Sequence, residues 1–271
     1  MDVRVYPGKY QKPYFSVDSK AKLIYNSAPF IRPNKTVAFD LDETLGNFSD
    51  LYPLWKRIAL PTQNQSTFNR LLDVYPEFLR IGIFAVLRFV QTKIANGECH
   101  PIYIYTNNQC GVDWVKLIVA YFELKTGIQF ARPICAFKIG KIITEPMRTT
   151  HDKTHRDFVQ CSMLQPPFEM CFVDDRNYAS MRRSKVYYIQ PPPYFHPLSK
   201  SEIENRFKSF QLNGAPSPSH AQKDFELKQQ NITNKIMYYL REFFLMNLLR
   251  SGQSRTKKRR KGRGFGTRKR Y

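Results

Sequence analysis

Residues 37–45 have the sequence VAFDLDETL, and the architecture of the rest of the chain can be inferred outward from this segment. The run TVAFDL at 36–41 is short, apolar and bounded by turn or catalytic residues, a pattern typical of a fully buried parallel strand. Asp40 and Asp42 stand at the carboxyl end of this predicted strand, and Thr44 follows two residues later. Two aspartates at this spacing usually mark a surface loop, but their position after a buried strand favours a catalytic loop.

Strand and helix signals alternate along the chain after this segment. The predicted strands cover 101–106, about 134–137, 169–175 and 185–190, and the predicted helices cover 76–95, 112–125 and a segment that begins near 153. Alternation of this kind predicts an α/β fold with a doubly wound parallel sheet. The intervening segment 46–75 is partly polar and too short for a large lid domain, so we expect a small flap over the site.

Three polar residues lie at the predicted carboxyl ends of different strands. They are Asp40, Thr106 and Asp174, and Asp175 follows the last of them. In open parallel sheets, ligands bind beyond the carboxyl ends of the strands. The sequence therefore predicts that these side chains converge on one site.

The spacing of Asp40 and Asp42 suits a division of covalent catalysis between two carboxyl groups. Asp40 would attack phosphorus, because an aspartate is ionised at neutral pH and needs no base to become a nucleophile. Asp42 would protonate the leaving oxygen and then activate the water that hydrolyses the acyl-phosphate. We therefore predict phosphoryl transfer to Asp40 followed by hydrolysis, with Thr44 counted among the catalytic residues.

Phosphate and several carboxylates would concentrate negative charge in such a site. Mg²⁺ prefers octahedral coordination by oxygen, and we expect it to be held by Asp40, the backbone carbonyl of Asp42, and Asp174. Asp175 could be a further, water-mediated ligand or could orient a catalytic lysine, and the sequence leaves both roles open.

Three further side chains complete the predicted site. Thr106 could hydrogen-bond a phosphoryl oxygen, and Asn107 could add an amide donor. A lysine would neutralise the charge that develops on the transferring phosphoryl group. Lys153 is the preferred candidate because it stands at a predicted helix start, although Lys138 and Lys141 lie in the same region.

These motifs resemble those of the haloacid dehalogenase superfamily. The segment FDLDETL in particular resembles the NLI-interacting-factor-like branch, which contains the RNA polymerase II carboxy-terminal-domain phosphatases, and the resemblance extends over about 36–190. It implies a Rossmann-like core, Mg²⁺ as cofactor, and a phosphatase that acts on phosphoserine or phosphothreonine in a protein. The roles that it implies are Asp40 as nucleophile, Asp42 as acid and base, Thr106 as phosphate ligand, Lys153 as charge stabiliser and Asp174 as magnesium ligand.

Three segments together resemble the version of this phosphatase encoded by large nucleocytoplasmic DNA viruses. They are DLDETLGNF at 40–48, YTNNQ-x-G-x-x-W at 105–114 and CFVDDR at 171–176. This resemblance implies a protein of the infected host cell or the virion. The run at 106–109 departs from the cellular enzymes and is similar to the T-N-Q motif of polynucleotide 3′-phosphatases, which leaves the substrate open.

The chain is strongly basic, because 43 Lys and Arg against 22 Asp and Glu give it a formal net charge of +21. Ten of the basic residues fall within 251–271, which contains no acid and has too little apolar surface to fold alone. Its clusters Lys257–Lys261 and Arg268–Arg270 predict contact with nucleic acid or with an import receptor. No apolar run is long enough to span a membrane, so we expect an intracellular protein, nuclear or cytoplasmic, without a membrane partner.

These signals divide the chain into four segments. They are an irregular lead-in at 1–34, the α/β core at 35–198, a helical C-terminal extension at 199–250 and the basic, disordered tail at 251–271. The leading functional prediction is a protein serine/threonine phosphatase whose substrate is a phosphoprotein. The alternatives are a phosphatase of nucleic-acid 3′ ends and a non-enzymatic nucleic-acid-binding or structural protein on the same scaffold.

Overall fold

The computed structural model describes residues 16–18, 34–212 and 223–246, which form an α/β fold. Their strands are β1 (Ser16–Asp18), β2 (Lys35–Phe39), β3 (Tyr103–Ile104), β4 (Lys138–Ile139), β5 (Ile142–Ile143), β6 (Glu169–Val173) and β7 (Val186–Gln190). Their helices are α1 (Phe48–Lys56), α2 (Gln65–Val74), α3 (Ile83–Ala95), α4 (Val112–Thr126), α5 (His155–Ser162), α6 (Lys200–Gln211) and α7 (Lys223–Leu245).

The main sheet has the strand order β1-β7-β6-β2-β3. The last four of these strands are parallel to one another, and β1 pairs with β7 in the antiparallel direction. All five residues of β2 and of β6 are buried, which explains why their sequences lack polar alternation. The predicted parallel α/β sheet is confirmed, and its topology is compatible with a Rossmann-like fold.

Helices cover both faces of this sheet. Side chains alternate between the two faces of a strand, so Val37 and Phe39 enter one apolar cluster while Ala38 enters the other. The first cluster contains residues from six of the described helices, and the second contains Phe158 and Cys161 of α5. Within the described residues, the doubly wound arrangement predicted from the sequence is therefore present.

The predicted strand near 134–137 is reduced to little more than isolated bridges. Ile134 pairs with Tyr105 in parallel, and Phe130 pairs with Ile102. Pro133 lacks the backbone N–H that a continuous ladder would need. The chain then forms the short β4–β5 hairpin, which is separate from the main sheet.

The segment 46–75 differs from the predicted flap, because it contains two helices that belong to the core. Phe48, Leu51 and Leu54 of α1 are buried, as are Phe68 and Leu71 of α2. These residues recur at the spacing of a helix face that packs against other elements. The start of α1 borders the candidate site, because the Ser49 hydroxyl donates to Asp42.

The helix predicted at 76–95 begins later than expected but ends as predicted. Residues 76–78 form one 3₁₀ turn, and Gly82 has a φ of 78°, so the α-helical backbone starts only at Ile83. A left-handed residue cannot lie inside an α-helix, and glycine adopts this conformation without a steric penalty. Asn96 caps the carboxyl end of α3, directly after the predicted last residue of the helix.

The C-terminal extension contains two described helices. In α7, the side chains of Ile232, Ile236, Leu240 and Phe243 are buried in the larger apolar cluster, so this face of the helix packs on the core. The helix α6 was not predicted as a separate element, although Ser199 and Glu202 form a capping box at its start. Most of the lead-in and all of the basic tail lie outside the described residues.

No helix in the described part of the chain is both long enough and apolar enough to cross a membrane.

Candidate active site

The candidate site lies at the carboxyl edge of the parallel strands. Asp40 directly follows β2, and Asp174 directly follows β6. The ladder continues into the site, because the Asp40 N–H donates to Val173 O at 2.8 Å and the Asp174 N–H donates to Ile189 O at 3.1 Å. The main chain of both aspartates is therefore fixed by the sheet.

Three carboxylates converge at this edge. Asp40, Asp174 and Asp175 are buried, and one carboxylate oxygen of each lies within 4.8 Å of the others. The Lys153 ammonium, which is also buried, donates to Asp40 Oδ1, and it donates to Asp174 Oδ2 at 2.7 Å. The structure thus brings together four side chains that are separated by up to 135 residues in the sequence.

The structure also distinguishes the three candidate lysines by position. Lys153 precedes α5, whose first turn is capped by the Thr154 side chain, and this places its ammonium between two carboxylates. Lys138 lies on the partly exposed β4, and Lys141 is exposed in the β4–β5 turn. Lys153 is the lysine of the three that contacts the acidic cluster.

Burial dominates the electrostatics of the cluster. It raises the pKa of Asp174 well above the ordinary range, and it raises the pKa of Asp175 to about 7, with the Asp40 charge as the next cause. Burial alone would lower the pKa of Lys153, but the carboxylates of Asp174 and Asp40 outweigh it and hold that pKa above its usual value. Three buried acids thus face one ammonium group.

The cluster could hold a metal ion. It offers oxygen ligands and an excess of negative charge, which is the chemistry that a hard divalent cation such as Mg²⁺ requires. The carboxylate of Asp42 is not part of this cluster. The three aspartates are therefore the side chains that fit the predicted magnesium ion.

Asp42 lies in a different hydrogen-bond environment from Asp40. Its Oδ1 accepts from Ser49 Oγ at 3.1 Å, and its Oδ2 accepts from Asn108 Nδ2 at 2.7 Å. Burial raises the pKa of Asp42 to about 6, although the Asn108 hydrogen bond favours the ionised form. A carboxyl group with a pKa near the working pH can both donate and accept a proton.

Thr44 positions Asp175. The Thr44 hydroxyl donates to Asp175 Oδ1 at 2.9 Å and accepts from the Asp175 backbone N–H at 3.0 Å. The hydroxyl is buried and fully engaged, so it links the loop after β2 to the end of β6. The structure places Thr44 behind the carboxylates, as a support for one of them.

A buried arginine holds the loop that carries Asp42. Arg80 Nε donates to Thr44 O at 2.5 Å, and its Nη2 donates to Glu43 O at 2.7 Å and to Pro192 O at 2.8 Å. Glu43 has a φ of 61°, a strained left-handed conformation for a residue with a side chain, so the loop needs such support. Arg80 was not predicted as a site residue, because nothing in the neighbouring sequence distinguishes it from a surface arginine.

Two asparagines follow the end of β3, and their amide groups have different partners. Asn107 Nδ2 donates to His151 O at 2.9 Å and to the Tyr178 hydroxyl at 3.2 Å, so both of its amide hydrogens are engaged. Asn108 instead contacts Asp42, and its N–H donates to Thr106 Oγ1 at 3.0 Å. The second asparagine of the run 106–109 is therefore the one beside the acid pair.

A second buried arginine, Arg148, connects the end of β3 to the loop before Lys153. Its Nη1 donates to Thr106 O at 3.2 Å and to Cys135 O at 2.8 Å. Its Nη2 donates to His151 O at 3.0 Å and to Asp152 O at 3.2 Å. Arg148 thus fixes the backbone on both sides of the predicted phosphate and lysine positions.

Comparisons with known proteins give no match, whether with protein-family models, with curated proteins or with solved structures.

Proposed function

We propose that this protein is a magnesium-dependent phosphomonoester hydrolase of the haloacid dehalogenase type, with Asp40 as its covalent nucleophile. The observation that carries the proposal is the contact of one buried ammonium, that of Lys153, with the carboxylates of Asp40 and Asp174 at the carboxyl edge of a parallel sheet. This arrangement suits a dianionic phosphate better than a neutral substrate, because a cation and a metal-binding cluster adjoin one nucleophile.

In the first half of the reaction, an Asp40 carboxylate oxygen attacks phosphorus and the bond to the ester oxygen breaks. Asp42 gives its proton to that leaving oxygen, and Lys153 neutralises charge on the phosphoryl group. In the second half, water attacks the phosphorus of the aspartyl-phosphate, Asp42 takes the proton, and Asp40 is released. The hydrogen bonds from Ser49 and Asn108 hold Asp42 in one orientation throughout.

A magnesium ion held by Asp40, Asp174 and Asp175 would supply the remaining positive charge at the phosphoryl oxygens. Thr44 would keep Asp175 in place for this role.

We propose a phosphoserine or phosphothreonine side chain of a protein as the substrate. This assignment follows the resemblance of FDLDETL to protein phosphatases. It is supported by the packing of α1 and α2 into the core, because segment 46–75 then adds no separate lid domain over the site. We therefore expect the described part of the chain to admit a macromolecular substrate.

Phosphate release by the purified chain tests this proposal. We expect turnover of phosphopeptides with Mg²⁺, loss of turnover with a chelator, and loss of at least a thousandfold in Asp40→Asn, because the amide is not a nucleophile. Asp224→Asn, which changes an exposed aspartate at the start of α7, is the matched control. Unchanged turnover in Asp40→Asn would refute the mechanism.

The same assay separates the alternative functions. Release of phosphate from 3′-phosphorylated DNA ends but not from phosphopeptides would assign the site to nucleic-acid ends. A folded wild-type chain that binds nucleic acid and releases no phosphate from any ester would favour the non-enzymatic alternative.

A further inference from the structure

A groove of about 490 Å³ opens between α1 and the start of α4. Its lining includes Tyr52 and Lys56 of α1, Cys110 before α4, and Lys116 within α4. The volume lies within the range of ligand-binding pockets. None of these residues belongs to the acidic cluster, so the groove is a separate surface.

Each wall of the groove adjoins, along the chain, a residue that donates a hydrogen bond to Asp42. On one wall, Ser49 donates to Asp42, and Tyr52 and Lys56 follow at the i+3 and i+7 positions of the same helix face. On the other wall, Asn108 donates to Asp42 and accepts from the Cys110 N–H at 2.8 Å. The groove therefore lies beside the residues that hold Asp42, the carboxyl group that would protonate the leaving oxygen.

The position of the groove beside Asp42 indicates which part of a substrate it would bind. The leaving oxygen must lie next to Asp42 when its bond to phosphorus breaks, so the chain attached to that oxygen can continue from Asp42 past Ser49 or Asn108 into the neighbouring groove. The groove is then the place for substrate atoms on the far side of the phosphate ester.

The side chains of the groove match a polypeptide. Gln63 Nε2 donates to Trp55 O at 3.1 Å, and Gln65 Nε2 donates to Leu117 O at 3.0 Å, which fixes the orientation of both amides. Their carbonyl oxygens are therefore the groups left to act as acceptors. A peptide backbone supplies N–H donors for such acceptors, whereas a nucleic-acid backbone presents phosphate oxygens that they would repel.

The exposed charges of the groove favour an acidic peptide. Lys56 is exposed near the Tyr52 ring, and Lys116 is exposed and paired with Asp113 at 2.9 Å. Two lysines against one aspartate leave the groove with a net positive charge. An acidic side chain near the phosphorylated residue would complement this charge.

We propose that this groove binds the polypeptide segment next to the phosphorylated residue, with an acidic side chain of that segment near Lys56 and Lys116. The proposal rests on the phosphatase function above, and it names the substrate class of that site as an acidic phosphopeptide.

The test compares kcat/KM for two phosphopeptides that differ only in acidic or neutral residues beside the phosphoserine. The wild-type chain prefers the acidic peptide, and the double variant Lys56→Glu/Lys116→Glu lowers that preference roughly tenfold, because two exposed attractions become repulsions. The readout is the ratio of kcat/KM for the acidic peptide to kcat/KM for the neutral peptide. A folding defect would lower both values alike and leave this ratio unchanged. The matched control is Arg183→Glu/Lys185→Glu, which reverses two exposed charges just before β7 and keeps the wild-type ratio.

Three outcomes overturn the inference. If the groove variant keeps the wild-type ratio while wild-type turnover depends on Asp40, the phosphatase stands and the groove assignment is wrong. If the variant lowers turnover of a single-stranded oligonucleotide 3′-phosphate but keeps the wild-type ratio of kcat/KM for the two peptides, the groove binds nucleic acid. If the wild-type chain with Mg²⁺ releases phosphate from no substrate, the proposed function itself fails.

Discussion

A single ammonium group, that of Lys153, balances the buried carboxylates of the candidate site. Its two contacts with Asp40 and Asp174 are buried and shielded from water. In the protein interior, charge–charge interactions are strong and an unpaired charge is costly. Removal of one partner from a buried ion pair usually costs more than the pair itself contributes, because the remaining charge stays buried.

We predict that Lys153→Met lowers the free energy of unfolding by about 3 kcal/mol or more in the absence of divalent cations, since two buried carboxylates lose their partner. Urea denaturation followed by circular dichroism measures this loss. Lys138→Met, which changes a partly exposed lysine on β4, should cost less than about 0.5 kcal/mol. An equal effect of both substitutions would show that the Lys153 contacts contribute no specific stability.

Arg80 gives the second prediction at the level of single residues. Arg80→Met leaves the carbonyls of Glu43, Thr44 and Pro192 without their donor, so the free energy of unfolding should fall by about 2–4 kcal/mol. Turnover should fall as well, because the loop that carries Asp42 loses its support. Stability and phosphate release in Arg80→Met are compared with Arg88→Met, a change of an exposed arginine on α3. Wild-type turnover in Arg80→Met would exclude a positioning role.

The sequence was informative about residues that a strand places directly. Asp40 and Asp174 could be located because a buried apolar run ends at each of them, and parallel strands bring their ends together. Arg80 and Asn108 were missed because their roles depend on contacts with residues 36 and 66 positions away. No local pattern shows that an arginine is buried and bonded only to backbone carbonyls.

At the level of elements, periodicity predicted the long helices and strands better than the short ones. The polar run QNQSTFN at 63–69 obscured the apolar face of α2, so the segment 46–75 was expected to form a flap. The start of α6 was recognisable from the Ser199–Glu202 capping box, but this helix was not predicted as a separate element. In both segments the helices are stabilised by packing, which composition alone does not show.

The docking of α7 gives a prediction at this level. Leu240→Ala should lower the free energy of unfolding by about 2–5 kcal/mol, because the side chain is fully buried in the larger apolar cluster and its removal leaves a cavity. Leu245→Ala, in the same helix but 73% exposed, should change it by less than about 0.5 kcal/mol. Denaturant titrations of both variants measure these changes in the free energy of unfolding. A small effect of Leu240→Ala would mean that α7 is peripheral to the cooperative core.

At the level of the whole molecule, the two edges of the sheet carry different features. The acidic cluster lies at the carboxyl edge of β2 and β6, whereas Lys35 at the opposite edge donates to Glu169 and to the carbonyls of Phe243 and Met246. The described end of α7 is therefore fixed far from the site. That the clusters Lys257–Lys261 and Arg268–Arg270 contact nucleic acid or an import receptor stays a prediction.

The most direct test of the central claim is the detection of phosphate on Asp40. The chain is mixed with a phosphopeptide and Mg²⁺, quenched in acid within the first turnover, digested and analysed by mass spectrometry. We predict one phosphoryl group on the peptide that contains Asp40 in the wild-type chain and none in Asp40→Asn. Sustained phosphate release by the wild-type chain without any phosphoryl-enzyme, together with turnover by Asp40→Asn, would contradict the mechanism.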